Sequence, residues 1–362
     1  MKVALVHDYL KEYGGAERVL QALSEIWPKA PIYTSFCLKG SKAQLAFKDA
    51  KIVESWFGKL PYCDKLISPL RFLLPSIWQS FDFSGYDLVI SSASWAVTKG
   101  FAQGKTKEIC YCHTPPRYLY GYETSRDLKK RWYIRLYALI VAHFMRPYDF
   151  RQAQKVTYFI ANSQETRSRI KKFYRREAVM INPPVDLPQF KNQKTKIGDY
   201  FLSGGRLEAA KNFDLIIKVC KQFKMPLKIY GTGTQEDYLK SLAGSTVEFL
   251  GGIDDKEKFE LMRNCQAFVV AATDEDFGIT PVEAMAAGRP VIAYRGGGYL
   301  ESVVEGKTGE FFNKPTVESL IQVLKNFKPR KYKAEDCQKQ AQKFSKERFK
   351  KEIREFIKGE FQ

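Results

Sequence analysis

Two carboxylates, Glu275 and Glu283, stand eight positions apart in the stretch Glu275-Asp-Phe-Gly-Ile-Thr-Pro-Val-Glu283. Ionised carboxylates accept hydrogen bonds from sugar hydroxyls. An apolar strand candidate, Ala267 to Ala271, precedes them, and a small-residue helix from Glu283 to Ala287 follows. In an open α/β sheet, strand, bent loop and helix start are where phosphates and sugars sit. Pro281 suits the first helical position, because its missing N–H would be unpaired there anyway. Thr280 is then the N-cap and Glu283 the third helical residue, a Thr-x-x-Glu capping box. Gly278 permits a tight turn and a close ligand. The N–H groups of residues 278–280 would face whatever lies before the helix. Two readings stay open on this pattern alone. Glu283 caps its helix while Glu275 is solvated, or the pair holds a polyol that carries a phosphate.

Other residues sit where strands end. Arg206 and Lys211 follow the strand candidate Tyr200–Ser203. A guanidinium and an ammonium placed there would stabilise charge developing on a departing diphosphate. Gly14-Gly15 precede a helix opening near Ala16, whose first N–H groups suit a phosphate or a hydroxyl, although an ordinary turn reads the same. His7 and Asp8 end the first strand, and His113 ends the strand Glu108–Cys112 ahead of Thr114-Pro-Pro. Asn162-Ser163 closes a further strand, where Ser163 fits a helix N-cap. Cys110 and Cys112 share one strand face while His113 points to the other, so this cluster argues against a metal site.

The elements that must position these residues alternate. Short apolar runs at Val3–Val6, Ile32–Ser35, Leu88–Ser91, Glu108–Cys112, Tyr158–Ala161 and Val179–Ile181 are separated by helical periodicity. That order predicts a parallel, doubly wound sheet. The aromatic-rich stretch 52–83 reads as an irregular insertion. Asn182-Pro-Pro-Val-Asp186 and the polar run 191–196 read as a linker, since paired prolines are stiff and non-helical. The alternation then resumes at Tyr200–Ser203, Leu227–Tyr230, Val247–Leu250, Ala267–Ala271 and Val291–Ala293. The predicted domains are 1–190, 191–340 and a helical tail, 341–362.

The 362 residues exceed what one core fills. The net charge of +19 divides unevenly, +13 on residues 1–190 and +6 on residues 191–362. Such a surface attracts nucleic acid, anionic lipid or pyrophosphate-linked substrates. Nucleic-acid binding has only the charge in its favour, with no aromatic RNP-type strand, zinc spacing or basic repeat. The start, Met1-Lys-Val-Ala-Leu-Val-His-Asp8, is too short in its apolar run for a signal peptide. The apolar stretch Tyr137–Met145 is too short to span a bilayer. Seven scattered cysteines predict reduced thiols in a cytoplasmic setting. The segment 126–137 combines Lys129, Lys130, Arg131 and Arg135 with Trp132 and Leu136, a pattern that suits an anionic membrane surface or an ordinary amphipathic helix.

The Glu275–Glu283 segment resembles the E-x7-E signature of retaining glycosyltransferases of family 4. So do Ala284-Met-Ala-Ala-Gly-Arg-Pro-Val-Ile-Ala293, Gly296-Gly-Gly, Glu301, Gly306-Lys-Thr-Gly309, Ser203-Gly-Gly-Arg-Leu207 with Lys211-Asn212, and Gly14-Gly15. The resemblance runs over nearly the whole chain. It implies the α/β GT-B fold, two Rossmann-like doubly wound domains facing across a cleft, acceptor domain first, with the last helix crossing back to it. It implies that Arg206 and Lys211 bind the donor diphosphate, Glu283 the ribose, and Glu275 the transferred sugar. Phe277, Gly278, Ile279 and Thr280 would supply backbone donors, Ile253 would border the base, and His113 would lie near the sugar. Same-face attack is implied, with the leaving phosphate helping to deprotonate the acceptor, and no metal or other cofactor. Tyr111-Cys-His-Thr-Pro-Pro-Arg117 and Asn182-Pro-Pro-Val-Asp186 most resemble bacterial mannosyltransferases of polysaccharide and lipopolysaccharide assembly. The expected reaction moves mannose from GDP-mannose to a glycan or polyprenyl-linked acceptor, at the inner face of the cell membrane and without nucleic acid. A UDP-sugar donor is the alternative, then an epimerase acting on a nucleotide sugar.

Overall fold

The structure is a computed structural model that describes residues 1–122, 132–188 and 197–361. The polar run 191–196 and the basic residues 126–131 lie outside the described residues. The chain forms two compact units. One holds Met1–Tyr122, the segment ending at Pro184, and Glu347 onward; the other is Val185–Lys346.

The first unit is built on a seven-stranded sheet. Its strands are β1 (Val3–His7), β2 (Ile32–Thr34), β3 (Ile52–Glu54), β4 (Leu88–Ala93), β5 (Lys107–Cys112), β6 (Tyr158–Ala161) and β7 (Ala178–Met180). Their order is β3-β2-β1-β4-β5-β6-β7, and every pairing is parallel. The strands read as continuous apolar runs because both faces are covered. Alternate residues serve opposite cores. Val3 and Leu5 join Leu20, Leu23 and the buried Phe349, Ile353 and Ile357 of the terminal helix Lys346–Phe361. Ala4 and Val6 face an aromatic core of Phe36, Phe57, Trp78, Phe83 and Phe101. The stretch 52–83 is less irregular than the sequence suggests. Ile52–Glu54 adds the edge strand, and short helical turns over residues 56–79 pack Phe57, Leu74, Ile77 and Trp78 into that aromatic core.

The second unit carries a six-stranded parallel sheet of β8 (Phe201–Gly204), β9 (Leu227–Tyr230), β10 (Val247–Gly251), β11 (Phe268–Val270), β12 (Val291–Tyr294) and β13 (Gly309–Phe312). The order is β10-β9-β8-β11-β12-β13. The helices Phe213–Gln222 and Val317–Asn326 cover one face with Ile216, Val219, Leu320 and Leu324. The helix Ile279–Ala286 covers the other, against Leu202, Phe268 and Val291. The four-residue strand β13 completes this sheet and was not among the strands expected from sequence. It starts at Gly309, the last residue of the Gly306–Gly309 motif, whose turn residues mask its short apolar run.

No described helix is long and apolar enough to cross a membrane. All seven cysteines are free thiols.

Candidate active site

In the second unit the candidate residues lie in loops at the carboxyl ends of neighbouring strands, the edge where open parallel sheets bind ligands. Lys211, in the loop after β8, places its Nζ 2.5 Å from Oε2 of Glu275, after β11. Tyr299, after β12, donates its hydroxyl to the same oxygen at 3.2 Å. Asn212 donates its side-chain amide to the carbonyl of Ala271, tying the loop after β8 to the loop after β11. Sequence reasoning missed Tyr299; its place directly after Gly296-Gly-Gly was the available signal.

Two glycines shape this edge. Gly278 has φ +86°, and a Cβ there would come within 2.8 Å of the Tyr299 ring. Gly298 donates its N–H to the carbonyl of Glu275 at 2.9 Å, and a Cβ would come within 2.3 Å of the Phe277 Cα. The two loops therefore lie backbone to backbone, which only glycine allows.

The expected capping box does not form. The helix begins at Ile279, with Gly278 in left-handed conformation at its N-cap, so Thr280 and Pro281 fall inside the first turn. No side chain caps this end. Glu283 is buried, and Lys258 of the helix Asp255–Asn264 reaches its Oε1 at 2.9 Å. Lys258 also pairs with the exposed Asp255 at 2.8 Å. The sequence held no signal for Lys258, because that contact joins two helices. Phe277 is buried in the apolar core and Ile253 is partly buried against it. Arg206 is exposed after β8 and forms no ion pair with a described residue. Its neighbour Leu207 donates its N–H to the carbonyl of Thr232, after β9.

In the first unit His7, Ser92 and His113 meet at the adjoining ends of β1, β4 and β5. Ser92 Oγ lies 3.1 Å from His7 Nδ1 and 2.8 Å from His113 Nε2. Glu17 Oε1 stands 3.4 Å from His7 Nε2, while its Oε2 accepts the N–H of Gly14 at 2.8 Å. The helix Gly15–Ile26 thus starts with Gly14 as N-cap and Glu17 closing back on it. The Gly14 N–H is consequently satisfied within the chain, and Gly15 opens the helix. Glu17 was missed, although an acid three places after an N-cap is a readable signal.

Asp8 is buried and enclosed. Its carboxylate accepts the Ser94 N–H at 3.2 Å, the Ser94 hydroxyl at 2.5 Å, the Trp95 N–H at 2.9 Å and the Thr98 hydroxyl. It pins the loop after β4. Burial works against charge on His7, yet the Glu17 hydrogen bond and charge, then Asp8, carry its pKa above the ordinary value. Burial, and then the neighbouring His7, push His113 down to about 4. Burial alone would raise Glu17, but His7 holds it below the usual carboxylate range. These shifts favour a charged His7 against Glu17 and a neutral His113.

Among the described residues no cluster of His, Cys, Asp and Glu is arranged to hold a metal ion. Cys110 and Cys112 face the core of Phe159 and Tyr174, and Tyr111 faces the opposite one.

Two parallel α/β units, each with charged residues gathered at the carboxyl edge of its sheet, define the class of two-domain, doubly wound ligand-binding proteins. The sequence profile of Glycosyltransferase Family 4 matches residues 13–189, and that of Glycosyl transferases group 1 matches residues 186–344. The alpha-1,3/1,6-mannosyltransferase ALG2 of Dictyostelium discoideum is 30% identical over 301 residues, 69% of each chain. Among solved structures, sucrose-phosphate synthase of Thermosynechococcus elongatus superposes with TM-score 0.73 at 16% identity, over 100% of this chain and 99% of that one. Anabaena Alr3699/HepE in complex with UDP gives TM-score 0.70 at 19% identity, covering 99% and 100%. The chain belongs to glycosyltransferase family 4, with the GT-B fold, and is a glycosyltransferase.

Proposed function

We propose that this enzyme transfers mannose from GDP-mannose, with retention of configuration, to a glycan or polyprenyl-linked acceptor. The observation that carries the reading is the Lys211–Glu275 pair at the sheet edge, in a chain 30% identical to a mannosyltransferase. Glu275 accepts from the hydroxyls of the sugar. Lys211 sits one ion-pair length away, where the diphosphate would leave, and the exposed Arg206 guanidinium adds a second positive charge. Glu283 holds the ribose hydroxyls, and Lys258 orients its carboxylate. The backbone at Phe277, Gly278, Ile279 and Thr280 opens a helix toward the diphosphate, and Ile253 borders the base. In the first unit Gly14-Gly15 open a helix toward a phosphate or hydroxyl of the donor, and His113 donates or accepts at a sugar hydroxyl.

A divalent ion has no role in this scheme, because Arg206 and Lys211 supply the positive charge. Transfer is therefore expected to survive EDTA. A thermal-shift screen against GDP-, UDP-, dTDP- and ADP-sugars tests the donor. A shift with GDP-mannose and none with the others supports the reading, and a shift with UDP-sugars alone replaces the donor. Label reaching an acceptor fraction separates transfer from epimerisation.

The acceptor reading places the enzyme in the cytoplasm at the inner face of the membrane. The helix Trp132–Lys155 supports this, with Trp132, Leu136, Leu139 and Phe144 exposed, up to 76% at Trp132. Beside it lies an apolar cavity of about 510 Å³, lined by Phe72, Pro75, Ile140, Phe144, Tyr148 and Arg151. Apolar side chains with a basic rim suit insertion into anionic lipid. Co-sedimentation with vesicles containing phosphatidylglycerol, lost in a Leu136→Asp/Leu139→Asp variant, checks it. Equal recovery of both proteins would remove the membrane from the proposal.

A further inference from the structure

The triad His7, Ser92 and His113 contains more information than its distances. One hydroxyl bridges two imidazoles, at 3.1 Å and 2.8 Å. A serine hydroxyl has one proton to donate, so the bridge must run in one direction or the other. Glu17 fixes the direction at its far end. A carboxylate only accepts, so His7 Nε2, 3.4 Å from it, carries hydrogen in either charge state.

We propose that Ser92 is a hydrogen-bond relay through which the charge on His7 sets the role of His113 Nδ1, the nitrogen left for substrate. With His7 charged, its Nδ1–H donates to Ser92 Oγ. The hydroxyl then donates to His113 Nε2, and the neutral His113 carries its hydrogen on Nδ1. With His7 neutral, its Nδ1 is bare and accepts the Ser92 hydroxyl. Ser92 Oγ then accepts from His113 Nε2–H, and His113 Nδ1 is a bare acceptor. One proton leaves His7 for solvent, and one His113 proton changes nitrogen by exchange with water. Ser92, His7 and Glu17 are positioning residues in this scheme.

The surroundings permit it. His113 Nδ1 makes no hydrogen bond to a described residue. The groups facing His7 are Glu17 from the helix Gly15–Ile26, Ser92 from β4, His113 from the end of β5, and Asp8, the next residue in the chain. Asp8 is held by the loop after β4 and does not compete for the ring. Around His113 the Tyr111 ring packs at 5.2 Å, and the Thr166 hydroxyl holds the backbone carbonyl at 3.0 Å. The ring is thus fixed while its protons remain free to rearrange.

The proposal rests on the transferase reading only for what Nδ1 meets. Its test needs no substrate. The chain has three histidines, so 15N-histidine labelling of the full chain gives a resolvable set of ring nitrogens. Two-bond 1H–15N spectra across the His7 titration should show His113 protonated on Nδ1 on the acid side and on Nε2 on the alkaline side. In Glu17→Gln the His7 titration should move to lower pH, and the His113 change should move with it. In Ser92→Ala the His113 tautomer should no longer follow His7. A single His113 tautomer throughout, or unaltered tracking in Ser92→Ala, overturns the relay. Should Ser92→Ala fail to fold, a Glu17→Gln variant whose His113 change stays at the wild-type pH overturns it equally. With an assay in hand, the bend in the kcat–pH profile should move by the same interval in Glu17→Gln.

Discussion

Glu283 and Arg206 differ in what their removal leaves behind. Arg206 is exposed, and its loss uncovers nothing. Arg206→Ala is expected to lower kcat by about 10²–10³-fold through the missing charge, with stability unchanged within about 0.5 kcal/mol. Glu283 is buried against Lys258. Removing one partner of a buried pair costs about 3–5 kcal/mol when the other charge has no alternative. Lys258 retains Asp255, which is exposed, so Glu283→Ala should lose nearer ~2 kcal/mol together with donor affinity. A urea-melt double-mutant cycle with Lys258→Met should recover much of the stability and none of the transfer. If Glu283→Ala melts like the wild type, the pair is not structural. Both acids of the E-x7-E spacing were legible from sequence, as were Arg206 and Lys211. Their partners Lys258 and Tyr299 were not, because each arrives from another loop or helix.

At the scale of elements, short continuous apolar runs and βα order made most strands readable. The strands that escaped, Ile52–Glu54 and Gly309–Phe312, are short edge strands of three and four residues. Such strands carry little apolar signal of their own and are recruited by the sheet beside them. The helix start at Ile279 was misplaced because capping chemistry competes with glycine geometry, and Gly278 in left-handed conformation won. The terminal helix offers a sharper test. Phe349 is fully buried against β1, β4 and β5 residues, with its ring 5.7 Å from that of Tyr111. Phe349→Ala is expected to cost about 3–5 kcal/mol in denaturant unfolding. Phe361→Ala, at a half-buried site, should cost far less. Equal losses would show that the helix packs without a dominant residue.

For the whole molecule, two buried groups set opposing pH trends. His113 titrates near 6.5 when unfolded and about 4 when folded. The unfolded chain binds the extra proton between those values, so stability rises with pH there. Glu108, buried among the Ser91 hydroxyl and the Gly100 and Phe101 N–H groups, is raised by burial from 4.5 to about 7. The folded chain holds the extra proton in that window, so stability falls as pH rises. Between pH 4.5 and 6.5 the two trends nearly cancel, and the wild-type Tm should vary little. His113→Gln should lose about 2–3 kcal/mol on going from pH 4.5 to 6.5. Glu108→Gln should gain a similar amount over the same interval. Matching pH slopes for all three proteins would refute the opposition.

Because Glu347 onward packs with the first unit, the ribosome finishes the second unit before it finishes the first. Residues 185–346 emerge as an uninterrupted stretch and can close their own sheet during synthesis. The earlier-made half waits, with the apolar site for Phe349, Ile353 and Ile357 uncovered, until the final helix appears. Released chains truncated after residue 346 should therefore yield a protease-resistant later half beside a susceptible earlier one, inverting the usual order of maturation.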